Sequence, residues 1–443
     1  MNRLIRKTES FCPQCIQRIP ADIVEEEGKI YMVKECPHHG SFQVFLSRHP
    51  RYYRELNDFY FSLIKRRLPQ RDYILRLTER CNLNCSICLA SANENPTADY
   101  PLEKLKVFIQ GKKGYKFDLM GTEPTMREDL PRIIRMICES GNLAALHTNG
   151  IKIADFSYLK ELWDSGLREV HFQFDGFDDQ FYLKVRGARL LSTKMKALEN
   201  LKRLNIATDL VATILRGYND KEIIKILKYG VANPFIREIF FLGCRWLGKA
   251  RKFDYRICLL PDEIIDLLTE QTKNSEEPIT REEIFRFQKL YFTLLSLTSL
   301  KKCFYIHHYL LVRREGGYQN IHHILNLAKM ESALNRYKEN VKAGRRLAKA
   351  ILFANLFFKS LRPSTLILAK DFLMRRSLLT SGFNISRIPS KYLLLGFISA
   401  CDPYIFDSRI ALNCGKGELS LDLGEEELGA LANCLRDKNR LVE

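Results

Sequence analysis

No stretch of the chain stays apolar for the ~20 residues that a membrane-crossing helix needs. The most apolar candidate, around 347–358, is closed by Lys359 and Arg362-Pro363, so a spanning protein is not expected. The N-terminal Met1-Asn2-Arg3-Leu4-Ile5-Arg6-Lys7 lacks the apolar core of a secretion signal, and thirteen cysteines, an odd number, do not suit a disulfide framework. A reducing, cytoplasmic setting is the expectation. Acid is scarce: 52 Asp+Glu against 70 Lys+Arg leave a formal charge of +18. Such a surplus favours an anionic partner, whether nucleic acid, an acidic membrane face or a phosphorylated substrate. Aromatic and basic residues do not interleave in a recognisable RNA- or DNA-binding motif, so nucleic acid is not the expected partner. With 46% apolar and 28% charged residues over 443 positions, the composition is that of a globular chain with room for two or three domains.

What the chain does have is sulfur grouped at ligand spacing. Cys81, Cys85 and Cys88 fall within eight residues, directly after the alternating apolar run Tyr73 to Thr78. A strand that empties into a cysteine loop of this spacing can hold three corners of a cubane iron–sulfur cluster. A zinc site would need a fourth ligand, and no fourth cysteine lies near. One iron would stay open to a small chelating ligand. Nearer the N-terminus, Cys12-Pro13-Gln14-Cys15 and Cys36-Pro37-His38-His39 read as two knuckles of a metal ribbon. The expected ligands are Cys12, Cys15 and Cys36 with His39 or His38, and zinc and a single iron both suit that set.

From residue 73 to about 250, short apolar runs alternate with turns and helix-period segments. The expected strands are Tyr73 to Thr78, Lys116 to Met120, Leu143 to Thr148, Glu169 to Phe174, Asp209 to Leu215 and Arg237 to Gly243. Six βα units imply a parallel sheet whose ligands collect at the C-terminal strand ends. Polar residues recur at that end: Gly121-Thr122-Glu123-Pro124, Thr148-Asn149-Gly150, Gln173-Phe174-Asp175-Gly176 with Tyr182 and Arg186, and Thr213. An acidic side chain in a glycine turn, as at Glu123, can accept hydrogen bonds from an ammonium group. Arg216 and Arg245 are candidates to meet a carboxylate or phosphate, whereas Lys249 reads as a solvated rim residue.

The cysteine triple, followed in this order by Gly121 to Pro124, Thr148 to Gly150 and Gln173 to Gly176, resembles the radical SAM superfamily. That resemblance implies a partial (β/α)6 barrel, a [4Fe-4S] cluster on Cys81, Cys85 and Cys88, and S-adenosylmethionine at the open iron. It places Gly121, Thr122, Glu123 and Pro124 near the methionyl amino group, with Thr122 standing where a second glycine is usual. It also puts Asn149, Asp175 and Thr213 where relatives hold the ribose or methionyl group, and implies a ferredoxin or flavodoxin as electron donor. With the N-terminal knuckles added, residues 8 to 275 resemble the archaeal tetraether lipid synthases and relatives assigned to pterin methylation. The implied reaction begins with a 5′-deoxyadenosyl radical that abstracts hydrogen from an unactivated carbon. Coupling of lipid alkyl chains is the first reading, methylation of a pterin-like molecule the second, and a non-enzymatic zinc ribbon that binds nucleic acid the competing class.

The expected division is a ribbon over 1–50, a helical connector over 51–72, the barrel over 73–250 and a mostly helical, substrate- or membrane-facing region over 251–443. Inert core thiols are the expected account of Cys303, Cys401, Cys414 and Cys434, with one auxiliary iron–sulfur cluster involving Cys401 and Cys414, which the resemblance suggests, as the alternative. Lys342, Arg345, Arg346 and Lys349 beside Leu347, Ile351, Leu356, Phe357 and Phe358 read as a basic amphipathic helix, able to lie on the inner membrane face or to pack on the barrel. The pairs His307-His308 and His322-His323 read as ordinary core or surface histidines.

Overall fold

A computed structural model describes residues 3–63, 71–93, 99–298, 303–344, 347–349, 351–352, 355, 385–399, 401–412, 414, 417–420 and 424–426. The first four strands, β1 (Arg3–Phe11), β2 (Arg18–Glu26), β3 (Lys29–Cys36) and β4 (Gly40–Ser47), form an antiparallel meander in that order. In a meander the β1–β2 and β3–β4 turns fall at the same end, and this is what brings the two sequence-distant knuckles together. Helix α1 (Pro50–Leu63) follows, burying Tyr52, Tyr53, Leu56, Phe59, Tyr60 and Leu63 along one face.

All six expected barrel strands form: β5 (Asp72–Arg76), β6 (Lys116–Met120), β7 (Leu143–Thr148), β8 (Glu169–Gln173), β9 (Ala207–Ile214) and β10 (Ile236–Gly243). They pair in parallel in chain order. Between them run α2 (Leu102–Ile109), α3 (Leu130–Glu139), α4 (Phe156–Asp164), the one-turn α5 (Asp179–Phe181), α6 (Leu191–Arg203) and α7 (Ile223–Ala232). Side chains alternate across a strand. Phe117, Leu119, Leu146, Val170, Phe172, Leu210, Ile239 and Phe241 face the helices in the main core.

The region beyond residue 250 contains the expected helices, α8 (Pro261–Thr272), α9 (Arg281–Thr298) and α10 (Leu327–Lys342), and also strands that the sequence reading did not anticipate. β13 (Tyr392–Ile398) pairs in parallel with β10, and β11 (Ile306–Arg314) and β12 (Gly317–Asn320) continue from it antiparallel. At the opposite edge β14 (Gly417–Ser420) pairs with β5 and β15 (Gly424–Glu426) with β14. The result is one sheet of eleven strands, open between β12 and β15, in which C-terminal strands cover both edges of the parallel six. Buried runs such as Tyr392 to Phe397, apolar at every position, carry no alternation to separate strand from helix. Among the described residues no helix is long and apolar enough to cross a membrane. Arg345, Arg346, Leu356, Phe357, Phe358 and Cys434 lie outside the described residues.

The ribbon is fastened to the C-terminal segment by buried cations. Lys34 Nζ donates to the carbonyls of Phe11 (2.8 Å), Pro403 (2.6 Å) and Tyr404 (2.8 Å) and to Ser10 Oγ (3.0 Å). Arg6 pairs with Asp407, whose carboxylate also accepts from Thr8 Oγ1 at 2.7 Å and caps α11 (Ser408–Ala411). Asp407→Ala would leave the Arg6 guanidinium buried without its counter-charge. The expected cost is about 3–5 kcal/mol, read as a lowered urea midpoint, and an unchanged midpoint would disprove the fastening role.

Candidate functional site

The cysteine loop leaves the C-terminal end of β5 and is held from below by the turn after β6. Thr122 N donates to Thr78 O (2.9 Å) and Glu123 N to Arg80 O (3.1 Å), while the Thr122 hydroxyl also bonds Arg80 O. This close pairing needs a residue without a side chain. Gly121 has φ +127°, and a Cβ there would stand 2.2 Å from Thr78 O. From above, Gly248 has φ +54° and a Cβ would meet Cys88 O at 2.5 Å, while Lys249 N donates to that carbonyl at 2.9 Å. The Lys249 ammonium bonds Asn84 Oδ1 (2.5 Å) and Ala92 O (3.0 Å). It therefore clamps the loop and is not the solvated rim residue that the sequence suggested.

Each of the three sulfurs has an N–H group or a cation near it. Leu83 N points at Cys81 Sγ and Ala92 N at Cys88 Sγ, both at 3.4 Å, and the Arg186 guanidinium acts electrostatically on Cys85. Burial pushes the Cys81 thiol up to about 12, so its thiolate form needs a bound cation to persist near neutrality. N–H groups aimed at sulfur and a guanidinium beside it suit an anionic iron–sulfur cluster.

Glu123 lies behind the loop, 1% exposed, and its carboxylate accepts from Thr125 N (3.2 Å), Thr125 Oγ1 (2.6 Å), Thr148 Oγ1 (2.7 Å) and Asn149 N (2.7 Å). Burial raises its pKa even against these donors. In this geometry it joins the ends of β6 and β7. Pro124 opens the short turn that carries Thr125. Asn149 donates to Asn82 Oδ1 (2.7 Å), with its Nδ2 4.0 Å from Cys81 Sγ.

At the end of β8, Asp175 takes a two-pronged ion pair from Arg186 (2.8 and 3.0 Å) and accepts from Thr213 N at 3.0 Å. Arg186 closes a π-type turn, Tyr182–Arg186, whose Val185 O accepts from Ser86 N at 3.0 Å. Such turns concentrate at functional sites. One guanidinium thus links Asp175, and through it β9, to Cys85. The sequence reading missed Lys194. Fully buried on α6, its ammonium donates to Asn149 O (2.8 Å), Gln173 O (2.8 Å) and Gln173 Oε1 (2.7 Å), tying β7 to β8. Its signal was a lysine on the apolar stripe Leu191, Ala197, Leu198, Leu201.

The inward face of the sheet, beneath the loop, is charged. Lys116 and Asp118 on β6, His147 on β7, Glu169 and His171 on β8 and Asp209 on β9 lie at alternate positions to the apolar outer face. His171 Nδ1 bonds Asp209 Oδ2 at 2.7 Å, and the His147 and His171 rings stack with centroids 4.2 Å apart. Burial and Lys116 oppose it, but Asp209 and Glu169 hold the His171 pKa up, to about 9. Asp118, His147 and His171 are close enough to share a metal ion. Lys116 Nζ already stands 3.3 Å from His171 Nε2 and 3.6 Å from Asp118 Oδ1, in the place of a cation. Asp209 Oδ1 is buried without a hydrogen-bond partner.

In the ribbon, Cys12, Cys15, Cys36 and His39 have ligand atoms within 4.8 Å of one another, and His39 rather than His38 completes the group. A tetrahedral ion with bonds of ~2.3 Å to sulfur and ~2.0 Å to nitrogen implies edges of about 3.8 Å between sulfurs and about 3.5 Å from sulfur to nitrogen. Cys15 and Cys36 sulfurs are 3.8 Å apart, and His39 Nδ1 is 3.5 Å from Cys36 Sγ and 3.7 Å from Cys12 Sγ. The donor set is tetrahedral before any ion is added.

The remaining candidates disperse. Arg216 pairs with Glu263 at 2.7 Å, and Arg245 is buried. Cys401 is buried near Arg245, and Cys414 lies near Cys303. His307 bonds Tyr52 OH at 2.8 Å, and His322 and His323 pair with Glu283 and Glu277. Lys342 pairs with Asp58 at 2.8 Å.

Residues 4–48 match the model of the HMPTM N-terminal zinc ribbon domain, and residues 75–230 that of the radical SAM superfamily. The chain is 35% identical over 314 residues to the 7,8-dihydro-6-hydroxymethylpterin dimethyltransferase of Methanocaldococcus jannaschii, covering 63% of this chain and 61% of that protein. It is 26% identical over 215 residues to the GTP 3′,8-cyclase of Staphylococcus aureus, covering 45% and 62%. The chain therefore spans about three-fifths of these relatives' length. Among solved structures, Streptococcus suis SuiB bound to S-adenosylmethionine aligns at TM-score 0.38 and 15% identity over 47% of this chain and 48% of that one.

Two outcomes follow. Elemental analysis of the purified chain should find one ribbon metal, lost in Cys36→Ser together with a fall in melting temperature. Retention of that metal in the variant would exclude the four-ligand site. Desolvation holds the Lys194 pKa down to about 7, whereas the unfolded chain titrates near ~10.4. Between those values the folded protein binds fewer protons, so this group's contribution to stability rises with pH. Urea midpoints of Lys194→Met should lack that rise between about pH 7 and 10, and an equal slope in both proteins would refute the assignment.

Proposed function

We propose, for a chain that belongs to the radical SAM superfamily, that it cleaves S-adenosylmethionine reductively on a cluster held by Cys81, Cys85 and Cys88 and functionalises a carbon of a small polar substrate. When bound, the cluster and S-adenosylmethionine supply a 5′-deoxyadenosyl radical able to abstract hydrogen from an unactivated C–H bond. The chain's own work is placement. Gly121 and Thr122 bring backbone to the loop, Glu123 fixes the β6 and β7 ends, and Asn149, Asp175 and Thr213 present polar groups at successive strand ends. Pro124 starts the turn that aims Thr125 at Glu123. An external ferredoxin or flavodoxin is the proposed electron donor, and zinc the proposed ribbon ion.

The observation that carries the substrate reading is the charged face beneath the loop. Three carboxylates, Asp118, Glu169 and Asp209, face two cations, Lys116 and protonated His171. These charges are buried, so an alkyl chain packed against them would offer no hydrogen bond in return. A ring rich in N–H donors would satisfy them. Methylation of a pterin-like molecule therefore fits better than lipid coupling, and the Methanocaldococcus jannaschii relative's name lends it weight. An auxiliary cluster near Cys401 and Cys414 stands as a secondary proposal, with Cys414 close enough to Cys303 to help raise the Cys303 pKa.

Anaerobic reconstitution should give iron and sulfide near four each from the loop cluster, and 5′-deoxyadenosine once dithionite and S-adenosylmethionine are added. Cys85→Ala should abolish that product. With 7,8-dihydro-6-hydroxymethylpterin and its phosphate ester as the test substrates, mass spectrometry should show an added methyl group, and Asp209→Asn should lower its yield at least tenfold. No 5′-deoxyadenosine from wild type would end the radical reading, and an unmodified pterin would end the substrate reading alone.

A further inference from the structure

Beside the cysteine loop, at the C-terminal ends of β9, β10 and β13, lies a cavity of about 310 Å³ that the reading above does not use. Ligand pockets begin at this size. Its lining joins the barrel mouth, through Arg216, Cys244 and Arg245, to Ser399 and Asp402 of the segment after β13 and to Phe45 of the ribbon. Cys244 also packs in one apolar cluster with Ile87 of the cysteine loop. A molecule seated in the cavity is therefore next to the sulfur site.

Arg245 is the unusual member. It is 5% exposed, yet only Nη1 is engaged, donating to Ser399 Oγ at 3.1 Å. Among the described residues its Nε and Nη2, both buried, have no hydrogen-bond partner. Among the described residues no carboxylate comes within 4.0 Å of it. Asp402, the nearest acid by electrostatic influence, spends Oδ1 on the N–H groups of Tyr404 and Ile405 (2.8 and 3.2 Å), and burial raises its pKa towards the neutral form. A desolvated guanidinium with two idle donors is costly. At the rim Arg216 and Arg256 add positive charge, already partly answered by Glu263 and Asp254. Leu259, Leu260 and Tyr255 supply apolar walls.

We propose that this cavity seats an anionic group of the substrate, a carboxylate or a phosphate ester, against the fork formed by Nε and Nη2 of Arg245. The proposal rests on the radical SAM reading for the identity of the reaction, while the anion site stands on its own geometry. Arginine's planar fork matches both oxyanions two-pronged. A metal–sulfur group is the weaker occupant, because among the described residues two thiols, Cys244 and Cys258, line the space.

The test uses the full-length reconstituted chain under anaerobic conditions, titrated separately with inorganic phosphate and with benzoate in a calorimeter. At least one should saturate a single site per chain, and Arg245→Gln should weaken it at least tenfold. Which probe wins distinguishes phosphate ester from carboxylate. Because Arg245 is held at a cost, Arg245→Gln should melt no lower than wild type, whereas a purely structural arginine would be missed. Arg256→Gln, a substitution on the exposed rim, should weaken the same probe about twofold to threefold, and serves if Arg245→Gln fails to fold. Absence of saturable binding by both probes, equal binding by Arg245→Gln, or iron well above four per chain with Cys244 and Cys258 protected from alkylation would each overturn the proposal. Failure of wild type to make 5′-deoxyadenosine would remove the reaction and leave the anion site to be judged by the titrations.

Discussion

The close approach of the Gly121 backbone to Thr78 is the constraint on which the sulfur site depends. Only a residue without Cβ can lie there, and only from there can Thr122 and Glu123 bond the carbonyls at the foot of the cysteine loop. The loop has little regular structure of its own, so its shape is borrowed: from the β6 turn below, from Gly248 and Lys249 above, and from the Tyr182–Arg186 turn at the side. Glu123 then carries the same constraint to β7 and Arg186 carries it to Asp175 and β9. Three sulfurs can converge because four separate strand ends hold one short segment.

Local chemistry was the legible part of the sequence. The six parallel strands showed through because each short apolar run ends in a glycine or polar turn, and the ribbon ligands showed through because knuckle spacing is a local property. The choice of His39 over His38 depended on which imidazole the β3–β4 turn directs inward, which spacing alone does not determine. The edge strands were illegible for a different reason. β13 is buried on both faces, so Tyr392 to Phe397 lacks any period, and β14 is four residues whose strand character comes from lying against β5.

Partnership explains the misread charges. Lys249 looks like a rim lysine until Asn84 and Ala92, over 150 positions away in sequence, are seen to receive it. Lys194 falls on an apolar stripe, a contradiction in local terms that resolves only when three acceptors from two strands meet its ammonium. The polar face within the sheet, with charged residues at every second position of β6 and β8, was not part of the sequence reading. Its meaning waited on the register that sets His147 beside His171 and His171 beside Asp209.

Charge is distributed against the grain of the composition. A chain with a formal charge of +18 keeps a surplus of carboxylate on the inner face of the sheet and an under-used guanidinium at the mouth. Both arrangements cost stability, since each buries charge that solvent would otherwise screen. The apolar outer face carries most of the sheet's cohesion, while Lys116–Glu169 and His171–Asp209 link strands within the inner face. A uniform alkyl chain would answer neither set of charges, and this is the physical argument for a polar substrate.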